Sequence, residues 1–180
     1  LKKYAGLSKR NLILFPLRVA PEKQPEIFRD LAEAMPEYQF VVCQDKQLTK
    51  DEYHSLLGQA KMVFSANTQE TLGISPYEGV LVGAMPLVPD RLSYTEMYDD
   101  MWKYDSSWTS SYENYQLHKD KLVAMIKSDM QNYANKLPKL KQLEQKLTDM
   151  YFSADNLVNT ISSYGEKENK KENRKISLTV

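Results

Sequence analysis

Two glutamates, Glu70 and Glu78, stand eight positions apart, and two cations, Arg18 and Lys23, stand five apart near the start of the chain. A carboxylate set in a loop can accept hydrogen bonds from sugar hydroxyls, and one carried on a helix can grip a vicinal diol such as a ribose at two points. Cations suit a departing diphosphate, whose negative charge grows as its bond to a sugar breaks. Between the glutamates, Thr71 and Leu72 lead into Gly73 and Ile74, where glycine lets the backbone approach a ligand closely and a helix amino end supplies partial positive charge for phosphate. Each residue also has a plainer reading. Either glutamate can be a solvated charge or a first-turn carboxylate favoured by the macrodipole, Gly73 can be a simple loop glycine, and Lys23 an ordinary first-turn lysine.

The elements that must position these residues are legible as an alternation. Asn11 to Phe15 (NLILF) predicts a strand, and Pro25 to Met35 a helix with Ile27, Phe28, Leu31, Ala32 and Met35 on one stripe. Tyr38 to Cys43 predicts a second strand and Asp51 to Ala60 a short helix capped from Thr49. Lys61 to Ser65 gives a third strand. Pro76 to Gly83 then gives a third helix with Tyr77, Val80, Leu81 and Ala84 toward the sheet, and Met85 to Val88 a fourth strand. Gly83 and Pro86 read as structural, letting helix and strand meet closely. Near-continuous apolar strands alternating with helices predict an α/β fold, a Rossmann-like parallel sheet with helices on both faces and right-handed crossovers. In such sheets phosphorylated ligands bind beyond the carboxyl ends of the strands, where the Glu70 loop lies. The loop Gln44 to Thr49 follows the second strand, and Asp90 to Glu96 the fourth.

From Met101 the chain turns aromatic and serine-rich, then follows a helical pattern to about Tyr164. Leu137, Leu140, Leu143, Leu147 and Met150 recur at helical steps and predict a packed helix that Pro138 starts or kinks. Ser153 or Asp155 can cap a last helix through Ile161. The expected organisation is one nucleotide-binding domain over residues 1–165 and a disordered charged tail over 166–180, where EKENKKENRK carries too little apolar surface to fold.

Composition limits the partners. Lys plus Arg and Asp plus Glu balance at 24 each, so no whole-chain field favours a polyanion. A single cysteine, Cys43, rules out an internal disulfide framework and suits a reducing compartment. With no apolar run near about 18 residues and no charged-then-apolar leader, a cytoplasmic location is expected. The chain begins at Leu1 and enters a strand within a dozen residues, which suggests a portion of a longer protein; a longer upstream reading frame is the check. His54 and His118 have no Cys or His at metal-ligand spacing. No Ser-His-Asp order or phosphate-binding Walker loop is present.

Arg18 and Lys23 after the first strand, together with Glu70-TLGISPY-Glu78-GVLVGAMPLV, resemble the carboxyl-terminal, donor-binding domain of GT-B glycosyltransferases of the retaining, family-four type. The resemblance runs from about Asn11 to Met97. Leu17 stands where the family commonly has one Gly, and Gln24 where it has another. More faintly, PLVPDRLSYTEMY is similar to the branch that adds mannose to queuosine in tRNA. The resemblance implies a hexosyltransferase-like enzyme that moves a sugar from a nucleotide-diphosphate sugar to an acceptor. In it Glu70, Arg18 and Lys23 take catalytic roles, and Thr71, Leu72, Gly73, Ile74 and Glu78 bind the donor. It further implies no cofactor and no metal at the diphosphate, a missing amino-terminal lobe that binds the acceptor (saccharide, lipid, protein or nucleic-acid base), and a chain inactive on its own. The alternative is a non-catalytic α/β binding or scaffold module derived from such a lobe. Asp45 after a strand also admits a response-regulator-like module, against which stands the lack of an acidic cluster after the first strand.

Overall fold

The structure, a computed structural model, describes residues 1–69 and 73–153. Its strands are β1 (Leu12–Phe15), β2 (Gln39–Val42), β3 (Met62–Phe64), β4 (Met85–Pro89) and β5 (Lys103–Tyr104). The helices are α1 (Pro25–Ala34), α2 (Lys50–Gln59), α3 (Ile74–Leu81), α4 (Tyr94–Met97), α5 (Tyr112–Gln131) and α6 (Tyr133–Met150). One parallel sheet has the order β2-β1-β3-β4-β5, with Leu12 opposite Gln39, Ile13 opposite Met62, Val63 opposite Pro86 and Val88 opposite Lys103. The expected α/β, Rossmann-like parallel sheet is therefore what the chain forms.

Strand alternation divides the core between two faces. Leu12, Leu14, Val41 and Val63 pack with Leu57 and Ala60 of α2 and with Val82 and Ala84 after α3. On the other face, Phe28 of α1 lies 5.3 Å from Phe15, 5.2 Å from Phe40 and 6.0 Å from Phe64, measured between ring centroids. Full burial of one such ring stabilises the fold by about 1.5–3 kcal/mol. Helix α5 closes that face. Its Tyr115 donates to Asp30 of α1 at 2.6 Å, and Lys119 pairs with the same carboxylate at 2.8 Å.

Local chemistry sets the helix limits. Pro25 opens α1 and Met35, which precedes Pro36, ends it, since the residue before proline avoids helical backbone angles. Thr49 caps α2 by accepting from the Glu52 amide at 3.2 Å. Ser111 caps α5 in the same way, accepting from the Asn114 amide at 3.1 Å.

Four features differ from expectation. Helix α3 begins at Ile74 rather than Pro76, and its buried face is Pro76, Gly79 and Val80, while Tyr77 and Leu81 are half-buried. The close helix-to-strand approach belongs to Gly79, where a Cβ would meet Val63 Cγ2 at 2.8 Å. Gly83 instead supplies a turn at φ +85°. A two-residue fifth strand, β5, lies within the serine-rich aromatic stretch. Pro138 does not start α6; the helix begins five residues earlier, at Tyr133, and holds Pro138 inside it, the placement for which a kink is expected.

Contacts divide the chain into a unit of residues Leu1–Glu144 and a second of Gln145–Val180. In the first, Leu140 and Leu143 of the leucine series are buried while Leu137 is exposed. In the second, the last turn of α6 closes with the amides of Tyr151 and Phe152 bonded to the Leu147 carbonyl. The expected helix through Ile161, the boundary at residue 165 and the tail 166–180 lie outside the described residues.

Candidate functional site

The sheet order reverses direction between β1 and β3, and at such a point the loops beyond the strand ends part to leave a crevice. Here the two loops are tied together. The Thr68 amide donates to the Glu22 carbonyl at 2.8 Å, its hydroxyl donates to the same oxygen at 3.1 Å, and Lys23 Nζ donates to the Gln69 carbonyl at 3.1 Å. Gln24 takes the left-handed conformation, φ +50°, which favours glycine. Its buried carboxamide compensates by donating to the Ala66 carbonyl at 2.8 Å and the Thr109 carbonyl at 2.6 Å.

Beside this junction, at the carboxyl ends of β1 and β2, lies a cleft of about 720 Å³. It is lined from one side by Pro16, Leu17 and Arg18 and from the other by the Cys43–Gln44 turn, by Gln47, Leu48, Thr49 and Lys50, and by Tyr53 of α2. That volume is within the range of small-molecule pockets. Among the described residues that line it, Arg18 and Lys50 are the cations and none is a carboxylate. Arg18 is exposed and pairs with Glu22 at 2.8 Å. Gln44 accepts the Val19 amide through its side-chain oxygen, so the carboxamide nitrogen is the end left to donate. Cys43, at the floor, is buried, and burial pushes its thiol up to about 12.

Glu78 adjoins the cleft without lining it. Its carboxylate lies 3.9 Å from His54 Nε2 and interacts with the phenol of half-buried Tyr53, which does line the cleft. Burial raises the Glu78 carboxyl above its ordinary value, while the Tyr53 hydroxyl and the positive charge of Lys50 pull it back down. Burial lowers His54, so the imidazole at neutral pH is mainly uncharged.

Of the predicted site residues, Arg18 alone lines the cleft among the described residues. Glu78 stands behind Tyr53, and Lys23 reaches over to Gln69 of the loop after β3. Gly73, at φ +61°, caps the start of α3 against Tyr94 and Met97, with a hypothetical Cβ 3.3 Å from Tyr94 Cε1, and Ile74 is the half-buried first residue of α3. Glu70, Thr71 and Leu72 lie outside the described residues. Sequence reasoning missed Lys50, whose signal was a cation directly after the capping Thr49. It also missed Arg91, a lone cation in the loop after β4. Asp45 is held by Arg29 at 2.7 Å, and that hydrogen bond keeps its carboxyl below the usual range. Asp90 pairs with Lys103 at 3.3 Å. Among the described residues no group of three or more His, Cys, Asp or Glu is arranged to hold a metal ion. No helix among them is long and apolar enough to cross a membrane.

No protein-family model matches this sequence, and no curated protein matches it. Among solved structures, "Crystal Structure of TarM" aligns with a TM-score of 0.61 at 13% identity, over 87% of this chain and 35% of that chain. At that identity the likeness is one of fold. What the two share is a Rossmann-like α/β fold with a parallel sheet. This chain spans about a third of TarM's length.

Proposed function

We propose that this chain is the donor-binding lobe of a retaining, family-four-type glycosyltransferase. The observation that carries the reading is the cleft at the carboxyl ends of β1 and β2, lined by Arg18 and Lys50 and, among the described residues, by no acidic one, beside a loop junction that carries Lys23. A nucleotide-diphosphate sugar fits such a place: the nucleoside occupies the cleft between the β1 loop and the Gln44–Thr49 segment, and Glu78, freed from Tyr53, receives the ribose diol. The diphosphate then lies toward Arg18 and Lys23 and the amino end of α3 at Gly73 and Ile74, with Thr71 and Leu72 alongside.

In the transfer, the bond between the anomeric carbon and the diphosphate oxygen breaks with its electron pair passing to the diphosphate. Arg18 and Lys23 take up that charge. An acceptor hydroxyl oxygen forms the new bond on the same face of the sugar and passes its proton to an oxygen of the departing diphosphate, and Glu70 accepts hydrogen bonds from the sugar beside the reacting carbon. With cations and a helix end at the diphosphate, the site has no need of a metal. The acceptor belongs to a second lobe, so the chain alone binds donor and transfers nothing. One buried cysteine suits a cytoplasmic setting.

The test is calorimetry with UDP-, GDP- and ADP-glucose on the 180-residue chain. Binding of one of them near Kd ~1 mM or tighter, corresponding to about −4 kcal/mol, is expected. Retained fold with no binding of any donor at several times that concentration would favour a non-catalytic module and end this reading.

A further inference from the structure

Beyond Phe64 the chain leaves the sheet, and three successive carbonyls, those of Ser65, Ala66 and Asn67, lie in buried surroundings where each needs a donor. All three find side chains from distant parts of the sequence. Tyr104 Oη donates to the Ser65 carbonyl at 2.7 Å. Arg91 donates through Nη2 to the Ala66 carbonyl at 3.0 Å and through Nε to the Asn67 carbonyl at 2.6 Å. The remainder of the same guanidinium bonds the loop after β5: Nη1 to the Ser106 carbonyl at 2.8 Å, and Nη2 to the Thr109 carbonyl at 3.3 Å and the Thr109 hydroxyl at 3.1 Å. Among the described residues its hydrogen bonds go to neutral oxygens and none to a carboxylate, although burial makes its charge costly there. The planar fork is what spans two loops at once.

The loop that Arg91 holds is the loop on which the cations rest. Asn67 leads directly to Thr68, which bonds the Glu22 carbonyl twice, and to Gln69, whose carbonyl receives Lys23. Glu22 in turn pairs with Arg18. Gln24 bonds the same two carbonyls, Ala66 and Thr109, that Arg91 Nη2 bonds, so the β1 loop and the guanidinium share one anchor. We propose that Arg91 is a positioning residue: by fixing the loop after β3 against the loop after β5, it sets where Lys23, and the β1 loop that carries Arg18, stand for a diphosphate ligand. It touches no ligand itself. The ligand half of this inference rests on the donor-binding reading; the anchoring half does not.

Amide hydrogen exchange and ligand titration on the whole 180-residue chain and its Arg91→Lys and Arg91→Met forms test both halves. Lysine keeps the charge but reaches as one point, so it cannot bond Asn67 and Ser106 together. The Thr68 and Lys23 amides should exchange at least tenfold faster in both variants, with β1 and β2 amides unchanged. Unchanged protection at Thr68 in Arg91→Lys overturns the anchor, and should Arg91→Met fail to fold, the lysine form decides. In the titration with inorganic pyrophosphate and the three nucleotide-glucoses, run well below the lowered Tm of the variant, Arg91→Lys should lose at least tenfold in affinity, and the ³¹P line of added pyrophosphate should move back toward its free position. Wild-type affinity with a loosened loop overturns the positioning role. If the wild-type chain binds none of the probes, the donor reading fails, and with it the ligand half; Thr68 exchange still decides the anchor.

Discussion

At the scale of single residues, the ion pair between Arg18 and Glu22 sets the charge available in the cleft. The pair is exposed on the arginine side, so it contributes at most about 1 kcal/mol to stability. Its larger effect is on ligand binding, because a guanidinium held by Glu22 must be released before it can bind a diphosphate. Glu22→Gln should therefore tighten pyrophosphate binding a few-fold and Arg18→Ala weaken it about tenfold, both with Tm nearly unchanged; weaker binding by Glu22→Gln in a titration would contradict this. Glu78 makes a second prediction through its protons. Burial raises its folded carboxyl above the unfolded value, so the folded state binds more protons and stability falls as pH rises from about 4.5 through the folded pKa. Glu78→Gln, which cannot ionise, should be more stable than wild type at pH 7, and the difference should shrink toward zero near pH 4. Urea midpoints measured across that range show it directly.

At the scale of elements, α3 is placed by what it lacks. With no side chain at Gly79 the helix presses onto β3, and an added Cβ would come within 2.8 Å of Val63 Cγ2 and 3.4 Å of Ala84 Cβ. Alanine in place of glycine usually favours a helix by up to about 1 kcal/mol, while forcing an extra methyl into a close-packed core costs about 1–3 kcal/mol. The second effect wins, so Gly79→Ala should lower the unfolding free energy by roughly 1–2 kcal/mol by the same reckoning, and Val63→Ala in the same chain should recover part of the loss. An unfolding midpoint for Gly79→Ala at or above wild type would show that the helix can shift without cost. A displaced α3 would also move Gly73 and Glu78, which it carries at its start and middle, so donor affinity should fall along with stability.

At the scale of the molecule, 24 cations match 24 anions, so the positive character of the cleft is local and owes nothing to net charge. Diphosphate affinity should accordingly decline with salt only as far as a few exposed charges are screened. The same chain-wide view applies to Cys43, sealed between the core and the cleft floor with its thiol pushed up to about 12. At pH 8 its reaction with a disulfide reagent should be at least about a hundredfold slower than that of a free cysteine, whose pKa is near 8.5, and should reach the free rate once urea unfolds the chain. A fast reaction in buffer would mean that the β2 end of the cleft opens without global unfolding.

The sequence determined by itself that β1 to β4 and the helices between them would form an α/β sheet, because strands buried on both faces must be apolar almost throughout and helices between them carry a one-sided stripe. It also pointed to Arg18, Lys23, Glu78 and the Gln44–Thr49 loop, since charges and turns after strand ends stand out against apolar runs. Only the tertiary structure decided which of these adjoin. It showed the two-residue β5, too short to leave a periodicity, and the Pro76-Gly79 face of α3, whose contacts come from small and cyclic residues that an apolar stripe does not register. It also showed that Gln24 and Arg91 share the Ala66 and Thr109 carbonyls, across 42 and 25 positions to the first and 85 and 18 to the second. Main-chain carbonyls are the same at every residue, so a side chain's choice among them leaves no trace in the sequence and is made only when the folded loops bring particular oxygens within reach.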